Sequence, residues 1–372
     1  MNRQLSLLIG FFSVIWLAAC HPNTLLPDNT PKASQTMPTL APLTSPYTRQ
    51  FPKSSPVHPT LIGAYYYPWY GVAGRHWNEG YKGTPLLGQY GCDDLATMNR
   101  HIDWATGHGI DFWVMSWWGQ GSFEDTTIQN YFLKADLAQD IQFAILYESA
   151  GLLKMKDGLF DMSDPDNRQA LTSDLRYLAQ AYFDQPNYLH VDGKATVFVY
   201  LTRIFSGDVK GAFQEARDAV KQATGKEMFI IGDEVYWHSP SRDRLTLWDG
   251  VTAYNMHTSV PDVDKNFTRN VLATYQAWAQ AAQDAGVSFI PDVLPGFDDT
   301  AVRPEAKHPV IPRSSDLFRQ QLEGALPLAN GAVRMLTITS WNEWHEYTSI
   351  EPAEEFGFQY LDVLLETLKG QK

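Results

Sequence analysis

The chain has 372 residues, 44% hydrophobic and 13% aromatic, enough for one large barrel of about 250 residues or for two smaller domains. Its 12 Trp and 18 Tyr are many for this length; such ring faces suit the apolar faces of sugars and equally suit plain packing. A formal net charge of −13 repels phosphate backbones, which excludes nucleic acid as a partner and favours a neutral or cationic one.

The chain opens MNRQLSLLIGFFSVIWLAAC, with one charge, Arg3, ahead of a mostly apolar run from Leu5 to Ala19. The run is short for a membrane span of about 20 residues and has the build of a secretory signal. Leu17-Ala18-Ala19-Cys20 resembles a bacterial lipobox, in which Cys20 is lipidated and becomes the new N-terminus. A plain signal peptide with a chance Cys is the alternative. His21 replaces the Asp associated with inner-membrane retention, so the expected anchor lies in the outer membrane of a Gram-negative envelope. Lipidation of Cys20 leaves Cys92 alone and no intrachain disulfide available. The segment that follows is rich in Pro, Ser and Thr and cannot bury enough apolar surface to fold by itself. The expected division is therefore signal peptide 1–19, lipid anchor and flexible linker 20–57, and one folded domain 58–372.

Beyond residue 60, short apolar runs recur at 61–67, 110–117, 141–147, 195–201, 228–232, 250–255, 287–293 and 333–340. Each is unbroken and flanked by turn residues or a change of period, the pattern of strands buried on both faces. Helical spacing fills the gaps. The stretch 93–109 sets Leu95, Met98, Ile102 and Ala105 on one face, with Asp93 or Asp94 to cap its start and Gly109 its end. Further helices are expected over 125–138, 165–182, 207–224, 264–284, 314–329 and 356–369; the interval 233–249 is the weakest. Eight strands alternating with helices predict an α/β fold, a single (β/α)8 TIM barrel. A doubly wound open sheet is the alternative, but it wants a Gly-rich phosphate turn, and no convincing GxGxxG follows the first run.

Active sites of such barrels lie at the C-terminal ends of the strands. That rule gathers Trp69, Tyr70, His76 and Trp77 after the first strand, Trp117 and Trp118 after the second, and Glu148 after the third. Arg203 follows the fourth, Asp233 and Glu234 the fifth, Tyr254, Asn255 and His257 the sixth, and Asp292 the seventh. The eighth delivers Asn342, Glu343, His345 and Glu346. Carboxylates and aromatic platforms on one rim suggest glycoside chemistry, which generally needs an acid for the leaving oxygen and a second carboxylate acting on the sugar. Two acids close together push their pKa values apart, so that one stays protonated near neutral pH.

The segment NEWHE (342–346) followed by T-x-I-E-P (348–352) resembles the end of the last strand in glycoside hydrolase family 99, the endo-α-mannosidases and endo-α-mannanases. YYYPWYG (65–71), SWWGQGS (116–122) and Glu148 after AILY are similar to that family's first, second and third strands. The resemblance implies endo-acting cleavage of α-mannosidic bonds in a polysaccharide or oligosaccharide, with retention. Glu343 matches the glutamate that deprotonates the substrate's 2-hydroxyl, whose oxygen then displaces the leaving group to form a 1,2-anhydro sugar. Glu346 matches the general acid, later the base on water. The route needs O2 and O1 trans, as in α-mannosides. Glu148 and Trp118 match residues lining the sugar subsites, and Tyr254 a tyrosine near the acid/base; Trp69, Tyr70, Asn342 and His257 complete the expected substrate-binding set. The chain departs from the family at Tyr347, in place of Gly, and Ser349, in place of Gln, which bears on the substrate more than on the reaction.

Plainer readings stand beside these. Glu343 and Glu346 could be a solvated pair at a loop start, and Glu148 a structural carboxylate. Glu351 would shape the loop, and Asp233 with Glu234 could be the acids of a different barrel hydrolase. His345 lacks the H-E-x-x-H spacing of a zinc helix, so no metal is expected, and no cofactor. Beyond the glycan substrate and the membrane, reached through the lipid anchor, no partner is expected; the chain is read as a monomer. A non-catalytic glycan-binding lipoprotein and an enzyme of surface-polysaccharide assembly are the other function classes.

Overall fold

The structure, a computed structural model, describes residues 47–54, 58–235, 237–256, 263–332 and 334–370. The expected signal peptide, the lipidated Cys20 and His257 lie outside the described residues. Among the described residues, eight parallel strands form the barrel: β1 (Leu61–Tyr66), β2 (Phe112–Trp117), β3 (Gln142–Tyr147), β4 (Lys194–Val199), β5 (Met228–Asp233), β6 (Gly250–Thr252), β7 (Ser288–Ile290, resuming as Asp292–Val293) and β8 (Met335–Ile338). All eight fall on the apolar runs of the sequence.

The sheet closes through β7. Its first half pairs with β6 and its second half with β8, and Pro291 stands between them. A proline has no N–H to continue a ladder, but its carbonyl accepts from Thr337 N at 3.0 Å, so the strand changes partner there without losing the barrel wall. β8 then pairs with β1 in the register Leu61↔Met335.

Alternation along each strand sorts side chains into two cores. Tyr65, Phe112, Val114, Ala144, Leu146, Phe198, Phe229, Ile231, Ile290 and Met335 fill the barrel, while Ile62, Tyr66, Trp113, Met115 and Trp117 face the helices. Gly63 leaves room for the ring of Phe112, which would lie 2.3 Å from an added Cβ. The helices enclosing the barrel are α1 (Leu95–Gly107), α2 (Phe123–Asn130), α3 (Pro165–Ala181), α4 (Val209–Thr224), α5 (Val263–Ala285), α6 (Ser315–Ala325) and α7 (Gln359–Gly370); among its described residues the weak interval after β5 forms only the single turn Arg242–Leu245.

Three details differ from the sequence reading. Asp94 caps α1 as expected, and Met98, Ile102 and Ala105 are buried, but Leu95 in the first turn is exposed. A strand at His190–Val191 pairs antiparallel with β4; its signal was Asp192-Gly193, both at positive φ, the residues a tight hairpin turn demands. Residues 47–54, assigned to the linker, pack on the barrel. The buried Asp103 accepts from Gln50 N, Phe51 N and Tyr47 Oη, and Phe51 packs on the rings of His108 and Phe358. The packed body thus begins ahead of residue 58, because a carboxylate on α1 supplies the acceptors this short segment needs. Among the described residues no helix is long and apolar enough to cross a membrane.

Candidate active site at the mouth of the barrel

The chain leaving β8 doubles back on itself. Ser340 N donates to Thr348 O, Ile350 N to Ser340 O and Glu351 N to Trp341 O, each at 2.9 Å. Tyr347 makes the turn at φ +54, a left-handed conformation that a glycine would adopt with less strain. Asn342 is wholly buried and spends both ends of its amide on the backbone of Tyr67, at 2.8 and 3.0 Å, so it clips the loop to β1 rather than facing the mouth. Glu351 is the other fastening. Its carboxylate accepts from Tyr90 Oη at 2.6 Å and Trp344 Nε1 at 3.0 Å, and pairs with His101 Nε2 at 3.1 Å. These anchors leave Glu343, His345 and Glu346 as the residues the loop presents.

Glu343 is buried, and its Oε1 accepts from His345 N at 2.9 Å. Burial pushes its carboxyl well above the ordinary value; the charge of Glu346 adds to this and the guanidinium of Arg303 opposes it. Glu346 is more open. One of its oxygens pairs with Arg303 Nη1 at 2.9 Å, and the other accepts from Asn255 Nδ2 at 2.9 Å with the Tyr254 hydroxyl 3.5 Å away. Tyr67 Oη donates to Tyr254 Oη at 2.6 Å, so β1 and the end of β6 converge on the same carboxylate. The two glutamates are therefore electrostatically coupled but differently dressed: one enclosed, the other ion-paired.

Glu148 ends β3. It accepts from Ser116 Oγ at 2.6 Å, and Ser116 Oγ accepts in turn from Trp118 Nε1 at 2.8 Å. Burial first, then the nearby acids Glu124, Glu346 and Asp233, push Glu148 up to about 8, against the Ser116 hydrogen bond. Alternation sends Trp117 into the helix layer, where its indole N–H meets Asp125 at 2.8 Å, and leaves Trp118 partly exposed at the rim. Gly151 makes that possible, since a Cβ there would lie 2.4 Å from the Trp118 ring. Trp69 is half-buried between Tyr67 and His76, with ring centroids 4.5 and 5.0 Å away. Tyr70 is fully buried beneath Trp77 and receives Trp344 N on its hydroxyl, so it supports the rim from below.

The rival acids serve the scaffold. Asp233 accepts from Leu201 N and Tyr254 N, and Glu234 is enclosed by Arg244, Trp248 Nε1 and Thr202 Oγ1. Sequence reasoning missed three participants. Arg303 lies in the long irregular segment after β7, where no periodicity or motif marks it. Ser116 was hidden inside an apolar strand, and Tyr67 was absorbed into an aromatic run. His76, weighed only as a rim histidine, meets His345 across the mouth with ring centroids 5.9 Å apart. Burial keeps both imidazoles neutral, pushing His76 down to about 3 and His345 below its ordinary value.

The fold and site together define a closed (β/α)8 barrel protein with a coupled pair of carboxylates on its eighth loop. The chain belongs to the family described as Glycosyltransferase WbsX, whose profile matches residues 86–364. The barrel is similar to a solved glycoside hydrolase-like protein, with a TM-score of 0.71 at 22% identity, covering 86% of this chain and 96% of that one. It is also similar to the family 99 endo-α-mannosidase of Bacteroides thetaiotaomicron in complex with bis-tris-propane (TM-score 0.66, 21% identity, 84% and 98% covered). In sequence it is 23% identical to the human glycoprotein endo-α-1,2-mannosidase-like protein, over 78% of this chain and 68% of that one. It is 22% identical to the protein WxcX of Xanthomonas campestris over 83% of this chain, and spans only 50% of that protein's length. At these identities the structural likeness establishes the fold.

Proposed function

We propose that the protein is a retaining glycoside hydrolase that cuts internal α-mannosidic, or related 1,2-trans, bonds of a glycan. The observation that carries this reading is the coupled pair: Glu343, buried and raised, beside Glu346, half-buried and ion-paired to Arg303. A buried carboxylate whose pKa is raised is a stronger base once ionised, which suits removal of the proton from a sugar 2-hydroxyl. O2 then attacks the anomeric carbon as the bond to the leaving oxygen breaks, and Glu346 gives that oxygen its proton. Glu346 must first exchange Arg303 for a proton. Arg303 already touches Asp299 at 3.2 Å, and a sugar entering the leaving-group side would shift the guanidinium onto that partner. Water, deprotonated by Glu346, then opens the anhydro ring, and the proton returns from Glu343 to O2. Trp118, Trp69 and Glu148 would line the sugars ahead of the cut, with Tyr254 beside the acid.

The test is the pair of variants E343Q and E346Q. Each is expected to lose about 10²–10⁴-fold in hydrolysis of α-mannan while still binding it, the range for removing one general acid or base. Undiminished cleavage by either would refute the assignment. The family description favours a second reading, transfer of the sugar to an acceptor other than water during surface-polysaccharide assembly. The same two carboxylates would serve, but the acidic mouth suits a glycan donor better than the diphosphate of a nucleotide sugar. Product analysis with and without sugar acceptors separates the two. For the whole chain we propose a signal peptide at 1–19, a lipid anchor at Cys20 and a tether to a monomeric enzyme on the outer membrane. Palmitate labelling that survives C20S would contradict the anchor.

A further inference from the structure

His76, Glu79 and His345 bring one donor atom each to within 4.8 Å of one another, at a place the proposed hydrolysis does not use. The sequence hides this group because its members come from opposite ends of the chain and meet only when β8 closes against β1. His345 Nδ1 lies 2.9 Å from the carbonyl of Gly80. A carbonyl only accepts, so Nδ1 carries the proton and Nε2 keeps a lone pair. That Nε2 is buried without a hydrogen-bond partner, in a residue only 5% exposed. His76 Nδ1 stands 2.9 Å from Glu79 Oε1 but is not aligned with it as a hydrogen bond.

The rings are fixed in place. His76 stacks on Trp69 at 5.0 Å and His345 on Tyr70 at 5.8 Å. His76 also holds φ at +64, a left-handed conformation strained for a residue with a Cβ. A neutral imidazole oriented by a backbone carbonyl is the usual setting of a metal-binding histidine. The cations nearby are engaged elsewhere, Arg75 with Glu124 at 2.9 Å and Arg303 with Glu346 and Asp299.

We propose that His76, Glu79 and His345 bind a divalent cation of the zinc kind, which ties the loop after β1 to the loop after β8. Two imidazoles and a carboxylate with an open fourth position suit zinc better than magnesium or calcium. Tetrahedral zinc, with bonds of about 2.0–2.2 Å, places neighbouring donors about 3.4 Å apart, so the group must contract. Glu79 is the arm able to do so, its side chain being 46% exposed. Because His345 N donates to Glu343, the ion would steady the segment that carries the carboxylate pair.

Zinc is titrated into the metal-stripped full chain against a fluorescent chelator, with H76A and E79Q in parallel and circular dichroism to check folding. One equivalent is expected to bind, roughly 10-fold or more weaker in E79Q and weaker still in H76A. Cobalt(II) should give a visible absorption band that both variants alter. The exposed E79Q keeps the test open should H76A fail to fold. Failure of the wild-type chain to hold zinc, or equal affinity in the wild type and E79Q, overturns the site. Neither result depends on hydrolysis.

Discussion

Arg303 sets the working range of the pair at the mouth. Its charge opposes the upward push that burial and Glu346 exert on Glu343. Removing it in R303M raises Glu343 further, so the acidic limb of kcat/KM, where the base must be ionised, should move to higher pH; an unmoved limb would detach Arg303 from the chemistry. Glu148 makes a separate prediction about stability. Its folded carboxyl titrates near 8, against an ordinary 4.5. The folded state therefore prefers the neutral acid, and the stability this contributes is present below about 4.5 and lost as pH rises towards about 8. Thermal unfolding of E148Q should gain on the wild type across that window and run parallel above it; a constant gap would mean that Glu148 is charged in the fold. At this scale the sequence placed a residue on the rim where a motif carried it, as with Glu343, Glu346 and Trp118. It was silent on Arg303, whose role depends on where a loop without period comes to rest. It misled on Asn342 and Tyr70, whose polarity and aromaticity gave no hint that both are enclosed.

The strands were readable because each is buried on both faces and so forms one unbroken apolar run. Helix ends followed where a cap was plain, as at Asp94 for α1. The region around α2 was drawn as one long helix, but it stops at Asn130 and continues as short 3-10 turns. Apolar spacing does not distinguish those turns from helix. The segment 47–54 looked like linker because Pro and Ser dominate its surroundings, whereas its fate is decided by Asp103, half a hundred residues away in the chain. A chain beginning at residue 58 should therefore be less stable by about 1–3 kcal/mol, since a buried carboxylate loses its donors. Calorimetry of the shortened and longer chains would show it, and equal melting temperatures would mean that the segment only rests on the surface.

On the scale of the whole molecule, closure of the barrel is what makes a site at all. Glu343 and Glu346 come from the loop after the last strand, His76 and Tyr67 from the segment after the first, and the β7–β8–β1 seam brings them together. At that seam the charge of Glu346 adds to the upward push that burial exerts on Glu343 and Glu148. The turn at Tyr347, whose ring lies against the Arg313 guanidinium at 4.5 Å, stands on the same rim, so a change there should bear on substrate preference. The central claim is that the 2-hydroxyl of an α-mannoside performs the displacement, and the anomer first released from α-mannan, followed by proton NMR before mutarotation, tests it most directly. The α anomer is the expected first product, because two successive displacements restore the configuration. A β anomer appearing first would contradict the account.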